Sequence, residues 1–422
     1  MPTPTVLAAL YDASRAAAWT NDPEVVANSE LGDELLTWDV PTAYGLVSVH
    51  LRETGRLTAT GETENLRRLL RNVLVTKALL RATPHEHHVL DETVPMRGRA
   101  DRTLKVVHSW VRSIQTDIDA AQAIENGQPV AGEAPLQAFW WDRKANFGDA
   151  VGPWLAAALT KRDVVNVRPT KENPIPVQGR ATALVGSIIH MINREDMDIW
   201  GAGLMRPLSA KSPLRKFTGI RVHAVRGHLT RHELQTKLGW DVPEVLGDPA
   251  LLLARHYTPR PSRHAEPKIA FVPHMSHRPR FKTIDDDVFD VVDVRDDLTL
   301  VVDAIANSTA CVSTSLHGLI VAQTYGVPWV WLNITDAELG GGDFKFRDFF
   351  STLRGATPAQ VDVTLEGLAD LDLAAVARRC SLPELDIDLE ALEAALPMKA
   401  DEPKNVSLRQ RLGRLVRRLQ GR

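Results

Sequence analysis

The chain has 422 residues, 44% hydrophobic and 24% charged, with 53 acidic against 50 basic side chains and a formal net charge of −3. That size predicts two or three domains of ordinary soluble composition, and the charge excludes a nucleic-acid binder with a broad basic surface. Two cysteines, Cys311 and Cys380, exclude a disulfide framework or a cysteine zinc site and point to a reduced, cytoplasmic compartment. The opening residues carry no basic stretch ahead of an apolar run, so no signal peptide is expected. A run of about 18 apolar residues, the mark of a membrane span, is not found.

In chain order, residues 1–130 are expected to form an α-helical N-terminal region. Leu66, Leu69, Leu70, Val73 and Leu74 follow a candidate N-cap at Thr63, and Leu104, Val107, Val111, Ile114 and Ile118 recur at helical spacing. His85, His87 and His88 sit in a loop-like stretch and read as surface histidines rather than metal ligands. Near Gly132 the pattern changes. Strands are expected over residues 136–141, 164–167, 183–189, 198–200 and 220–225, and helices over 150–159 and 229–238. A basic, proline-rich linker over 259–267 follows. Beyond it come strands at 268–272, 289–294, 310–312 and 329–332, with helices at 298–306 and 319–325. Alternating strands and helices signify parallel sheets. The expected fold is α/β, with Rossmann-like domains over 131–258 and 259–395 and a cleft between them.

Residues 396–422 form a separate tail. From 405 to 422 it holds six arginines and no acid, with Leu408, Leu412, Leu415, Val416 and Leu419 on one helical face. Such a helix either lies on an anionic membrane surface or packs on the protein with its basic face in water.

Several short motifs could carry chemistry. Asn146-Phe147-Gly148-Asp149 follows the first strand of the α/β region, where Asn146 can present its amide to a hydroxyl and Asp149 can cap a helix. Arg226, in Val225-Arg226-Gly227-His228-Leu229-Thr230, ends a strand, where an arginine either clamps an anion or makes a structural ion pair. Gly247-Asp248-Pro249 reads as a structural turn. His274 follows a strand with His277, Arg278 and Arg280 nearby. Gly340-Gly341-Gly342 precedes Lys345 and Arg347, but it is neither a Walker loop nor part of a dinucleotide fingerprint. Ser313-Thr314-Ser315-Leu316-His317-Gly318 places a histidine at a strand-to-helix turn, where open α/β sheets bind ligands and helix amides favour anions.

Taken in order, these motifs, with Trp200-Gly201-Ala202-Gly203 and Phe344-Lys345-Phe346-Arg347-Asp348-Phe349, resemble the polysaccharide pyruvyl transferase family over about residues 136–355. The resemblance implies a two-domain architecture of the GT-B type. It also implies transfer of enolpyruvyl from phosphoenolpyruvate to a sugar, closing a cyclic ketal, with no cofactor beyond that donor. His317 is the expected catalytic acid. Arg226, His274, Ser315, Gly318, Lys345 and Arg347 are expected on the donor side, and Asn146 and Asp149 on the acceptor side. Many members carry an arginine where this chain has Ser315, so the donor's charge must be met by other cations. No clustered ligands suggest a metal. The competing readings are a glycosyltransferase using a nucleotide sugar and a non-catalytic scaffold in glycan assembly.

The implied acceptor is a glycan or lipid-linked saccharide, which places the protein in the cytoplasm or peripherally on the inner face of the membrane. Deleting residues 405–422 is expected to abolish sedimentation with anionic vesicles; equal sedimentation without them would assign the tail to the protein's own surface.

Overall fold

The computed structural model describes residues 136–397, apart from 163, 168–179, 263–264, 282–283, 286 and 356–357. Before them it describes 26–28, 35–42, 45–52, 57–63, 66–67, 70 and 118. The tail, the histidines at 85, 87 and 88, and most positions of the two expected N-terminal helices lie outside these residues.

The helical expectation for the N-terminal region is corrected over residues 26–61. β1 (Val26–Asn28), β2 (Leu35–Thr42), β3 (Gly45–Arg52) and β4 (Leu57–Gly61) form an antiparallel sheet in that order. The reason is a period of two. Trp38 and Val40 pair with Val49 and Val47, and all four are buried, while Asp39 and Ser48 alternate with them and share a 2.6 Å hydrogen bond. Gly45, at φ +121°, closes the hairpin under the Thr42 hydroxyl, which donates to its carbonyl at 2.7 Å. Helical structure follows the sheet. The Thr63 hydroxyl accepts from Leu66 N–H at 3.1 Å, as an N-cap should, and Leu66 and Leu70 are buried.

Beyond residue 135 lie two five-stranded parallel sheets flanked by helices, a Rossmann-like α/β arrangement. The first joins β5 (Leu136–Phe139), β6 (Val164–Asn166), β7 (Ala181–Ala183), β8 (Met197–Trp200) and β9 (Arg221–Ala224) in the order β6-β5-β7-β8-β9. The second joins β10 (Ile269–Val272), β11 (Phe289–Val291), β12 (Ala310–Ser313), β13 (Trp329–Ile334) and β14 (Gln360–Val363) in the order β11-β10-β12-β13-β14. Most central strands are apolar without alternation because helices cover both faces. The helices are α1 (Phe147–Thr160), α2 (His228–Glu233), α3 (Leu253–His256), α4 (Leu298–Ala306), α5 (Leu316–Thr324), α6 (Phe344–Phe350), α7 (Leu373–Ala377) and α8 (Leu389–Ala394).

Each sheet therefore reverses its winding beside its first strand. The crevice outside the carboxyl ends at such a switch point is where these sheets bind ligands. In the first sheet it lies between β5 and β7, in the second between β10 and β12. The strand expected at 183–189 is corrected: β7 ends at Ala183, and Gly186, at φ +112°, turns the chain toward Asp149. The connection between the halves is pinned rather than loose, since Asp303 on α4 accepts from Tyr257 Oη at 2.7 Å and from Arg260 N–H at 3.0 Å.

A buried ion pair braces the two halves. Arg226, just beyond β9, is fully buried. Its Nε donates to Asp348 on α6 at 2.9 Å, Nη1 to Ser187 Oγ at 2.7 Å and Nη2 to the Leu204 carbonyl at 2.7 Å. Asp348 also accepts from the Thr230 amide and hydroxyl, each at 2.7 Å. Any Cβ at Gly203 would strike the guanidinium, and one at Gly227 would strike the Asp348 backbone, which explains the glycines in both motifs. Removing one partner of a buried pair strands the other charge at a cost of about 3–5 kcal/mol. Asp348→Ala should accordingly lower the urea midpoint sharply; a midpoint within error of wild type would contradict the brace.

Candidate functional site

The site is built where the two switch points face each other. On the first half, α1 begins directly after the loop from β5. The Asn146 side chain accepts from Gly148 N–H at 3.0 Å, capping the helix, and Phe147 N–H donates to the Val294 carbonyl of the second half at 2.9 Å. This fixes Gly148 and Asp149 in the first helical turn. On the second half, β12 ends at Ser313, whose buried hydroxyl accepts from Ser315 N–H at 2.9 Å and reaches the Val272 carbonyl at 2.8 Å. Ser315 is the N-cap residue of α5, and His317 stands in its first turn.

His317 and Gly148 meet. The imidazole fills the space that any side chain at 148 would occupy, and the Phe147 ring stands edge-on to it at 6.4 Å. His317 is 12% exposed, and its Nε2 lies 3.6 Å from Oδ2 of the fully buried Asp248. Asp149 lies within electrostatic reach of His317, Lys345, Asp142 and Asp248. Desolvation of its carboxyl is the largest influence and pushes its pKa up to about 7, against the opposing pull of His317 and Lys345. Lys345, buried on α6, is shifted down to about 8, chiefly by burial and then by Arg226, with Asp149 acting the other way. An acid held near neutrality therefore faces a cation that loses its charge just above neutrality.

Two further histidines sit at the second switch point. Burial, then Lys345 and His277, push His274 down to about 4, so its ring is neutral at physiological pH. Its Nδ1 accepts from Ser276 N–H at 3.2 Å, which leaves the ring proton on Nε2. Thr314 Oγ1 accepts from His274 N–H at 2.8 Å and bonds His277 Nδ1 at 3.0 Å, while His277 Nε2 donates to the Ala337 carbonyl at 2.8 Å.

Electrostatic reach thus links Asp149 to His317 and Lys345, and Lys345 to His274, while Asn146 and Ser315 are the N-cap residues of the helices that carry Asp149 and His317. The others expected on the donor side are engaged differently. Arg226 is committed to the brace, with none of its surface exposed, the structural one of its two possible uses. Arg347 is exposed and pairs with Asp343 at 3.6 Å, one helical turn back. Gly318 is buried where a Cβ would meet Ser313 and Val272, so it permits packing of α5 rather than contact with a ligand. Three residues were passed over in the sequence: Asp248, read as a turn, Asp348 and Thr314. Among the described residues, no group of three His, Cys, Asp or Glu side chains is placed to hold a metal ion.

Residues 199–336 match the model of the polysaccharide pyruvyl transferase family. This segment is similar to the polysaccharide pyruvyl transferase domain. It contains Arg226, Asp248, His274, Ser315, His317 and Gly318, whereas Asn146, Asp149, Lys345 and Arg347 lie outside the matched residues. An uncharacterized protein of Acanthamoeba polyphaga mimivirus is 29% identical over 215 residues, 50% of this chain and 71% of that relative. The matched segment thus supplies the histidine and its carboxylate partner, and the flanking sequence brings the second carboxylate and the ammonium group to them.

Gly148→Ala would force the His317 ring to move. A displacement of about 1 Å at a reacting group can cost on the order of 100-fold. The variant is expected to keep its circular dichroism and lose transferase turnover by about that factor; wild-type turnover would show that the contact is dispensable.

Proposed function

We propose that the protein transfers the enolpyruvyl group of phosphoenolpyruvate to a sugar of a glycan precursor, closing a cyclic pyruvate ketal and releasing phosphate. The observation that carries this reading is the transferase domain at residues 199–336, which holds both His317 and its partner Asp248. This reading takes the two-sheet frame as GT-B-like, with the substrates in the central cleft.

The atoms balance with the side chains present. Protonated His317 gives its proton to the methylene carbon of phosphoenolpyruvate, making the methyl group and leaving positive charge on the central carbon. An acceptor hydroxyl oxygen bonds to that carbon and loses its proton to Asp149. The bond from the central carbon to the phosphate oxygen then breaks. A second hydroxyl closes the ketal, and its proton leaves with the phosphate. The proton on Asp149 restores His317. A positioned acid or base is typically worth about 10²–10⁴ in rate. Lys345 supplies the charge that the serine at 315 does not, and the His274 Nε2–H adds a neutral donor to the carboxylate and phosphate oxygens. The acceptor approaches along the groove lined by Trp141, Asp142, Asn146, Arg295 and Asp297, beside the start of α1.

A ligand that binds only the native state at 100 times its Kd stabilises it by about 2.7 kcal/mol. Phosphoenolpyruvate is expected to raise the melting temperature, and Lys345→Ala to remove the effect. Stabilisation by a nucleotide sugar instead would make the protein a glycosyltransferase. Turnover should also have a narrow pH optimum. It rises through about 7 as Asp149 ionises and falls through about 8 as Lys345 loses its proton. Lys345→Arg should carry the falling limb upward, and an unmoved limb would remove Lys345 from that role.

A further inference from the structure

Asp248 uses its two carboxylate oxygens differently. Oδ1 accepts from Ala250 N–H at 3.0 Å, capping the turn Pro249–Leu252. Oδ2 is buried with no hydrogen-bond partner, and His317 Nε2, 3.6 Å away, is in the same condition. An unpartnered buried polar atom is costly, more so when charged. Two such atoms facing each other satisfy one another if a proton lies between them. The other ring nitrogen, Nδ1, is turned toward Gly148, the residue before Asp149. The missing side chain makes room for the ring, and Nδ1, unlike Nε2, is not a buried atom without a partner. A carboxylate beside one imidazole nitrogen fixes which nitrogen keeps the proton and so which one is free to exchange it.

We infer that Asp248 is a positioning residue that holds the proton of neutral His317 on Nε2 and makes Nδ1 the nitrogen that exchanges a proton with substrate. When Nδ1 has given its proton to the donor's methylene carbon, the neutral ring that remains carries the Nε2 proton against Asp248. The kinetic consequence rests on the proposed role of His317 as the acid; the state of the ring does not.

The test is long-range proton–nitrogen NMR of the full chain labelled with nitrogen-15, without substrate, at a pH where the ring is neutral. His317 is assigned by the signal lost in His317→Gln. The wild type should show hydrogen on Nε2 and a bare Nδ1. Asp248→Asn is the informative variant. Its amide oxygen must stay on Ala250 N–H to keep the cap, which turns the NH₂ group toward His317 Nε2 and makes that nitrogen an acceptor. The proton should therefore move to Nδ1. Hydrogen on Nδ1 in the wild type, or an Nε2 proton retained in Asp248→Asn, would overturn the inference. With the tautomer changed, Asp248→Asn should lower kcat by about 100-fold or more while KM for phosphoenolpyruvate stays within about twofold. The predicted ring states with unchanged kcat would support the positioning contact and overturn the acid.

Discussion

Gly148 has no side chain, and the imidazole of His317 occupies the place one would take. The rest of the site depends on that close approach. It brings the helix after the first strand of one sheet against the helix after the third strand of the other, so two switch points share one crevice. Asp149, the next residue along α1, is thereby carried to the histidine, and α6 completes the enclosure with Lys345. The Arg226–Asp348 pair joins the same two halves. Because both charges are fully buried, the pair tolerates no loss of either member.

The electrostatics follow from the burial. A carboxyl withdrawn from water resists ionisation, and a buried ammonium resists protonation. Asp149 at about 7 and Lys345 at about 8 are driven toward each other along the pH scale by that one cause, each partly restrained by the other. The two can therefore be an ionised carboxylate and a charged ammonium together only over a narrow range. His274, pushed down to about 4, adds a donor without adding charge.

The parallel sheets were legible because strands covered on both faces read as apolar runs between turns. The same signal misplaced β7: its apolar run continues past Ala183, and only the left-handed bend at Gly186 takes the chain off the sheet. The N-terminal sheet was missed because its alternation is short and includes Pro41, while the leucine-rich stretches that follow have a clear helical period. His317 was legible from its strand-to-helix turn. Asp248 was not, because the turn signal of Asp-Pro accounts for one oxygen and the partner of the other is brought close only by folding. Lys345 and Arg347 looked equivalent in a glycine-led loop; on the helix that the loop begins, one is buried within electrostatic reach of Asp149 and the other faces water. The arginine at 226 looked like an anion clamp because its buried anion is an aspartate of the other half.

The most direct measurement is mass spectrometry of the product formed from phosphoenolpyruvate and an envelope saccharide fraction in heavy water. The proposed proton transfer predicts a pyruvate ketal with one deuterium in its methyl group, phosphate released in equal amount, and loss of both in His317→Gln. Ketal formed at the wild-type rate by His317→Gln, or a saccharide product bearing no pyruvate, would contradict it.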